Sequence, residues 1–174
     1  MTDRSRPLPL LHGIRIPDYT IHTLDDEIRV DRLCVDLLRH LYQDLTVRGK
    51  MPARQAGVFC QGADYFLREF VVGGRHENLF ALQAARIRQF AGHWYIIRTP
   101  EPNLDELRQI LNGTAEFYLF LARQGLVAVD VAAAISSECS QLDYYRERID
   151  DFWAIEDDGY EAWRQACPLE PAAD

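Results

Sequence analysis

Residues 103–126, NLDELRQILNGTAEFYLFLARQGL, carry the signals for both ends of a helix. Asn103 is a favoured N-cap residue, and Glu106 follows it at the spacing of a capping box. Gly125 suits the position just after a helix, where the backbone turns left-handed, and Arg123 lies where the helix dipole favours a cation. The stretch therefore predicts one helix over about residues 104–124.

This helix is apolar around most of its circumference. Its polar side chains fall mainly on one stripe, formed by Asp105, Gln109, Asn112, Glu116 and Arg123. A helix with so narrow a polar stripe is usually covered by neighbours on its other sides. The sequence therefore predicts an all-α protein in which other helices surround this central one.

The flanking segments can supply those neighbours, because apolar residues recur in them at helical spacing. The predicted helices cover about residues 24–48, 52–73, 81–98, 130–153 and 158–166. Together with the central helix they form a compact bundle of five to six helices. The buried stripe of the fifth helix is predicted to end with Phe152 and Trp153.

A length of 174 residues suits a single domain, which at this size buries about 70% of the surface of its unfolded chain. Residues 1–22 are predicted to form an extended N-terminal arm, because prolines interrupt a segment that is otherwise rich in aliphatic residues. Residues 23–168 form the helical domain in this interpretation. Residues 169–174 are expected to be a frayed tail.

The sequence lacks the signals of several functional classes of protein. No run approaches 18 apolar residues and no signal peptide is recognisable, so we expect a cytoplasmic protein that does not enter a membrane. Neither the four cysteines nor the five histidines have metal-ligand spacing, and we expect no metal ion and no cofactor. The acidic residues between 150 and 158 lack the register of a calcium-binding loop and are interpreted as a solvated cluster. We disfavour an enzyme.

Charge is distributed unevenly along the chain. Residues 1–50 have no net charge, residues 51–100 carry +3 and residues 101–174 carry −11, which gives the total of −8. Four arginines of the middle third are candidate contacts to nucleic acid: Arg68, Arg75, Arg86 and Arg88. Phosphate contacts require such residues to share one face of the folded domain.

A second candidate is the segment that follows Gly73 and Gly74. His76 and Glu77 are predicted to lie there in an exposed loop, and loops carry functional residues more often than cores do. The alternative is an ordinary polar loop. No catalytic residue is assigned.

Three stretches resemble the N-terminal, SAM-like core-binding domain of tyrosine recombinases, the phage integrases. They are ADYFLREFV (63–71), IRQFAGHWYI (87–96) and LRQILNGTAEFYLFLARQGLV (107–127), within a match that covers about residues 55–130. The resemblance implies a compact helical fold and, in that family, contact with DNA. The family's catalytic domain, with its nucleophilic tyrosine, has no counterpart in this sequence.

These observations lead to two functional hypotheses, and an enzyme that uses His76 and Glu77 or the acidic cluster is a third, less favoured one. The first is a non-enzymatic helical interaction module that binds a protein partner or associates with itself as a homodimer. It follows from the aromatic content of 11% and from the apolar arm, since aromatic residues are enriched at interfaces. The alternative is a nucleic-acid-associated protein related to a recombinase core-binding domain but without recombinase activity.

Overall fold

The computed structural model describes residues 11–169, which contain helices and turns but no strand. The all-α prediction is therefore confirmed. Seven helices lie in this range: α1 (Leu24–Gln43, continued by a π-helical segment, Asp44–Arg48), α2 (Ala53–Asp64, continued by a π-helical segment, Tyr65–Gly74), α3 (Ala84–Gln89, a π-helical segment, Phe90–Trp94, and Tyr95–Arg98), α4 (Leu104–Arg123), α5 (Val129–Cys139), α6 (Leu142–Trp153) and α7 (Tyr160–Ala166).

Helix α4 lies at the centre of the bundle, with α2 packed on one side and α5 on another. Its exposed residues are only Asp105, Glu106, Gln109 and Asn112. The others are buried or half-buried, and the fully buried set comprises Leu107, Ile110, Leu111, Gly113, Thr114, Phe117, Tyr118, Phe120 and Leu121. The prediction of a central, surrounded helix is confirmed.

Both predicted ends of α4 are present, but the capping box predicted from Glu106 does not form, because the Asn103 N–H donates to Tyr95. The side-chain oxygen of Asn103 accepts a hydrogen bond from the backbone N–H of Glu106 at 2.9 Å, and Gly125 has a φ of +72°. The Glu106 carboxylate accepts from the hydroxyl of Tyr95 at 2.9 Å, and this hydroxyl accepts from the Asn103 N–H at 3.4 Å. The start of α4 is thus joined to α3 by a buried tyrosine.

Two glycines bring α2 and α4 into backbone contact. A Cβ atom on Gly62 would lie 2.6 Å from the carbonyl oxygen of Gln109, and one on Gly113 would overlap the carbonyl oxygen of Phe59. No side chain fits between the two helices at these positions. The close approach allows the surrounding side chains to interlock on both sides of the crossing.

An aromatic cluster joins the π-helical segments of α2 and α3. The ring of Phe90 lies 5.0 Å from Phe66 and 5.3 Å from Phe70, and Trp94 lies 5.4 Å from Phe70. These distances are typical of favourable edge-to-face and tilted aromatic pairs. π-Helical turns are rare, and here two of them face each other across the cluster.

The predicted fifth helix is wrong as a single element, because it is divided between α5 and α6. The Ser140 hydroxyl donates to the carbonyl of Ser137 at 2.7 Å, and the Gln141 backbone N–H donates to the carbonyl of Glu138 at 3.1 Å. Such local bonds compete with the helical pattern and end the helix. Because of this split, residues 11–169 contain seven helices, whereas the prediction was a bundle of five to six.

The described part of the N-terminal arm packs on its own domain. Tyr19 is buried and meets the ring of Phe80 edge-on at 4.8 Å. The side-chain amide of Asn78 donates to the carbonyl of Ile16 at 3.0 Å. A 3-10 turn, Ile16–Tyr19, interrupts the predicted extended conformation. Residues 1–10 of the expected arm and residues 170–174 of the expected tail lie outside the described residues.

A buried carboxylate connects the end of α1 to the end of α4. Asp44 is 2% exposed and accepts hydrogen bonds from Arg48 at 2.8 Å and from Arg123 at 2.7 Å. Burial raises the pKa of Asp44, but the hydrogen bonds and positive charges of the two arginines outweigh it and hold the pKa below its ordinary value of 3.8. Arg123 therefore ties the two helices together as well as complementing the dipole of α4.

We expect Gly113→Ala to lower the free energy of unfolding by about 1–3 kcal/mol, because the added methyl group forces α2 and α4 apart. Gly57→Ala on α2 is the matched control, since a Cβ at Gly57 meets no atom within 4 Å. The control should gain about 0.5–1 kcal/mol from the better helix propensity of alanine. Urea denaturation measures the free energy of unfolding of both variants. Equal values would show that α2 and α4 are not in close contact at Gly113.

We expect Asp44→Asn to lower the free energy of unfolding by about 3 kcal/mol, because it leaves two arginines facing a neutral amide in a largely buried site. Asp36→Asn is the comparison, since Asp36 forms an exposed pair with Arg39 on the same helix. Its loss should cost less than about 1 kcal/mol. Thermal and urea unfolding of both variants give the difference.

Candidate functional site

The two more exposed arginines of the predicted nucleic-acid site pair with acids on different helices. Arg68 holds Asp31 of α1 through two hydrogen bonds of 2.7 and 3.1 Å, and it holds Asp64 at 3.1 Å. Arg88 of α3 holds Glu138 of α5 at 2.7 Å. The positive charge of each guanidinium is thus balanced locally by carboxylates.

The other two arginines are more deeply placed. Arg75 is 7% exposed and lies 3.8 Å from the carboxylate of Glu77. Arg86 binds the same carboxylate with two hydrogen bonds of 2.6 and 3.0 Å. The four arginines therefore fall into three ion-pair groups, because Arg75 and Arg86 share Glu77, and they do not form one basic face.

The neighbours His76 and Glu77 take different roles. His76 is exposed, has a φ of +52°, and places its Nε2 atom 3.2 Å from the carboxylate of Glu27 at the start of α1. These two residues line a small cavity of about 240 Å³ together with His22. Glu77 is half-buried in its ion pair with Arg86. His76 thus lies beside Glu27 at the surface, whereas the Glu77 side chain packs inward against Arg86.

The strongest exposed aromatic feature lies at the end of α6, where sequence reasoning predicted a buried stripe. Trp153 is 58% exposed, so the prediction that it is buried is wrong. Only its neighbour Phe152 packs inward, 5.2 Å from the ring of Trp163. The indole N–H of Trp153 donates to the carbonyl of Pro102 at 3.3 Å, which fixes the ring against the loop before α4.

Exposed carboxylates surround this tryptophan in the sequence. Within residues 11–169 none of them forms an ion pair, in contrast to most arginines of the protein. We call these residues, together with Trp153 and the exposed Tyr160, the acidic–aromatic surface; its acids are Asp150, Asp151, Glu156, Asp157 and Asp158.

A buried arginine, Arg148, lies beneath Trp163, on which Tyr160 of the acidic–aromatic surface stacks. Arg148 is 5% exposed, donates to the carbonyl of Gly92 at 2.9 Å, and lies 4.1 Å from the ring centre of Trp163. The indole N–H of Trp163 donates to the carbonyl of Arg148 at 3.0 Å. Tyr160 stacks on the outer side of Trp163 at 6.0 Å. Of the two exposed rings, Tyr160 therefore rests on Trp163, whereas Trp153 is held by the Pro102 carbonyl.

His93 of α3 also packs against Trp163. Its Nδ1 atom donates to the backbone carbonyl of Cys167 at 2.6 Å, and its ring meets Trp163 edge-on at 5.3 Å. Burial lowers the pKa of His93 below its ordinary value of 6.5, and the positive charges of Arg148 and Arg164 lower it further. The hydrogen bond to Cys167 acts in the opposite direction but does not prevail. His93 is thus neutral at neutral pH.

No protein-family model, curated protein or solved structure matches the chain. The candidate surface therefore rests on the geometry of this protein alone. In the described range, no group of three or more histidine, cysteine, aspartate or glutamate residues is arranged to hold a metal ion. The helices between residues 11 and 169 include none that is both long and apolar enough to cross a bilayer.

The sequence did contain a signal for the acidic–aromatic surface. The run from Asp150 to Asp158 places five acids on both sides of Trp153, a composition unsuited to a buried helix end. Helical periodicity alone assigned Trp153 to the same buried stripe as Phe152. Adjacent residues point about 100° apart on a helix, so only one of the two rings packs against Trp163.

We expect the free energy of unfolding to fall as the pH is lowered from about 6.5 to 5, because the unfolded chain binds a proton on His93 more readily than the folded one. Above the ordinary pKa this contribution is fully present. His93→Gln keeps a donor for Cys167 but cannot titrate, and it should flatten this part of the stability curve. Urea titrations across this pH range test the prediction, and equal slopes in the unaltered protein and in His93→Gln would contradict it.

Proposed function

We propose that this protein is a non-enzymatic interaction module and that its acidic–aromatic surface binds a basic segment of a partner protein. The observation that carries the proposal is Trp153, which is exposed over more than half its area yet held in place by the Pro102 carbonyl. A fixed, exposed indole is a typical anchor of protein interfaces. The exposed acids that flank it in the sequence form no ion pair within residues 11–169, and they favour a positively charged partner.

Arginine is the side chain that fits both parts of this surface. Its guanidinium stacks on tryptophan through a cation–π interaction, and it donates two parallel hydrogen bonds to a carboxylate. Inside the protein, Arg148 already stacks on Trp163 and Arg88 lies 4.8 Å from the ring centre of Tyr144. The same chemistry is available to a partner on the solvent side of Trp153.

Long-range charge supports a basic partner as well. The segment 101–174 carries −11, and this field attracts a basic protein and accelerates its association at low ionic strength. It opposes the approach of a phosphate backbone. The nucleic-acid alternative has less support also because Arg68, Arg75, Arg86 and Arg88 are engaged in ion pairs with carboxylates.

We expect an octa-arginine peptide to bind saturably and to change the fluorescence of Trp153, because Trp94 and Trp163 are each less than 10% exposed. The affinity should fall with added salt. Trp153→Ala should raise the dissociation constant roughly 10- to 30-fold, the range of an interface anchor. Calorimetry measures the variant, since it lacks the fluorescent reporter.

Val129→Ala is the matched control, because Val129 is 74% exposed on α5 and lies outside the surface. Its dissociation constant should equal that of the unaltered protein. An octa-lysine peptide should bind more weakly than octa-arginine, and an octa-glutamate peptide should not bind. Equal affinity of Trp153→Ala and the unaltered protein would contradict the proposal.

A further inference from the structure

A polar cavity lies between α2 and α3, beside the π-helical segments of both helices. It has a volume of about 340 Å³, at the lower end of the range of roughly 300–1,000 Å³ that is usual for small-molecule sites. Six residues line it: Tyr65, Glu69, Gly73 and Gly74 of α2, and Trp94 and Arg98 of α3. We call this space the α2–α3 cavity. π-Helical turns are frequent at functional sites, so its contents merit a closer description.

The wall of the α2–α3 cavity contains a hydrogen-bond donor without an acceptor. Trp94 is 8% exposed, and its indole N–H has no hydrogen-bond partner in the described part of the chain. The indole N–H groups of Trp153 and Trp163 donate to the backbone carbonyls of Pro102 and Arg148. A buried indole N–H normally finds such a partner. For Trp94 the acceptor has to come from the cavity, either as water or as a ligand.

A glycine keeps this donor accessible. A Cβ atom on Gly74 would lie 3.5 Å from Nε1 of Trp94 and 3.2 Å from the carbonyl oxygen of Glu69. A side chain at this position would therefore fill the space in front of the indole N–H. With glycine there, the N–H is open to the α2–α3 cavity.

Two opposite charges line the cavity without pairing. Glu69 on α2 and Arg98 on α3 are both exposed, and neither forms an ion pair within residues 11–169. The guanidinium of Arg98 lies over the ring of Trp94, with Cζ 5.3 Å from the ring centre. Stacking leaves the N–H groups of a guanidinium free to bind an anion in its plane. The cavity thus offers a cation and an anion to the same small ligand.

Tyr65 adds a second aromatic wall and a further donor. Its ring centre lies 6.2 Å from that of Trp94, at an interplanar angle of 64°. Burial raises the pKa of Tyr65 above its ordinary value of 10, so the hydroxyl keeps its proton at neutral pH. The two rings supply apolar surface next to the polar groups, a combination that is typical of small-molecule sites.

We propose that the α2–α3 cavity binds a small zwitterion, in the simplest case a free α-amino acid. The carboxylate of the ligand accepts hydrogen bonds from Arg98 and from the indole N–H of Trp94, and its ammonium group donates to Glu69. A ligand with a single charge fits less well, because Glu69 repels an anion and Arg98 repels a cation. The acidic–aromatic surface lies on α6 and the start of α7, so neither proposal rests on the other.

Calorimetric titration of the full chain with each of the standard L-amino acids, at up to about 10 mM, tests the site. At least one of them should bind with a dissociation constant below about 1 mM. Its N-acetyl derivative lacks the ammonium group and its amide lacks the carboxylate, so each should bind at least about 10-fold more weakly. Absence of saturable binding by every amino acid would overturn the inference, and so would unchanged affinity for either derivative.

Substitutions show whether binding takes place in the α2–α3 cavity. Trp94→Phe keeps an aromatic ring beneath Arg98 but removes the N–H, whereas Glu69→Gln and Arg98→Gln each remove one charge. Each should raise the dissociation constant roughly 10-fold or more, because a hydrogen bond between charged groups or to a charged group is lost. Arg39→Gln is the control, since Arg39 pairs with Asp36 on α1 and does not line the cavity. Binding that none of the three variants weakens would take place elsewhere, and it would overturn the inference.

Gly74→Ala tests the site while every charge stays in place. The added methyl group lies in front of Nε1 of Trp94, so the affinity for the amino acid should fall severalfold. Gly57→Ala adds the same methyl group to α2 where it meets no atom within 4 Å, and it should bind like the unaltered protein. Circular dichroism confirms that both variants are folded. Unchanged affinity of Gly74→Ala would show that the ligand does not reach the indole N–H and would contradict the proposed contact.

Discussion

The backbone contact between α2 and α4 is the constraint on which the bundle depends. With no side chain at Gly62 or Gly113, the two helices approach until the carbonyl oxygens of one meet the Cα atoms of the other. This closeness leaves α4 covered on that side, while α5 covers another. The other helices are placed relative to this crossing: α1 through Asp44 and Arg123, and α3 through the Tyr95 hydroxyl at the start of α4.

The elements whose signals are local in sequence could be predicted. Asn103 and Gly125 mark the ends of α4, and the apolar spacing within it shows how completely it is surrounded, because capping and periodicity depend on near neighbours. The break at Ser140 was missed because a serine is compatible with a helix interior until its hydroxyl finds a nearby carbonyl. The π-helical segments of α2 and α3 were missed because they meet through aromatic contacts between residues far apart in the sequence, such as Phe66 and Phe90.

The candidate site was harder to predict, since it depends on contacts between distant parts of the chain. Arg68 meets Asp31 across 37 residues, and Arg88 meets Glu138 across 50. A basic segment read without these partners looks like a nucleic-acid surface. Conversely, Trp153 looked like a core residue, because periodicity does not reveal that Phe152 alone faces Trp163. The net charge of a surface in this protein therefore depends on which charged side chains form ion pairs. The acids that form none in the described part of the chain are the ones that indicate a binding surface.

Helix α7 has a further consequence for the way the protein comes apart. Its seven residues are too few to remain helical alone, so its order depends on Trp163 and on the segment at Cys167 held by His93. Such a segment detaches with a smaller free energy than global unfolding, as a separate cooperative unit. Its amide protons should therefore exchange with solvent long before those of α4. Each opening uncovers the guanidinium of Arg148, and returning that cation to water offsets part of the cost of losing the contacts around Trp163.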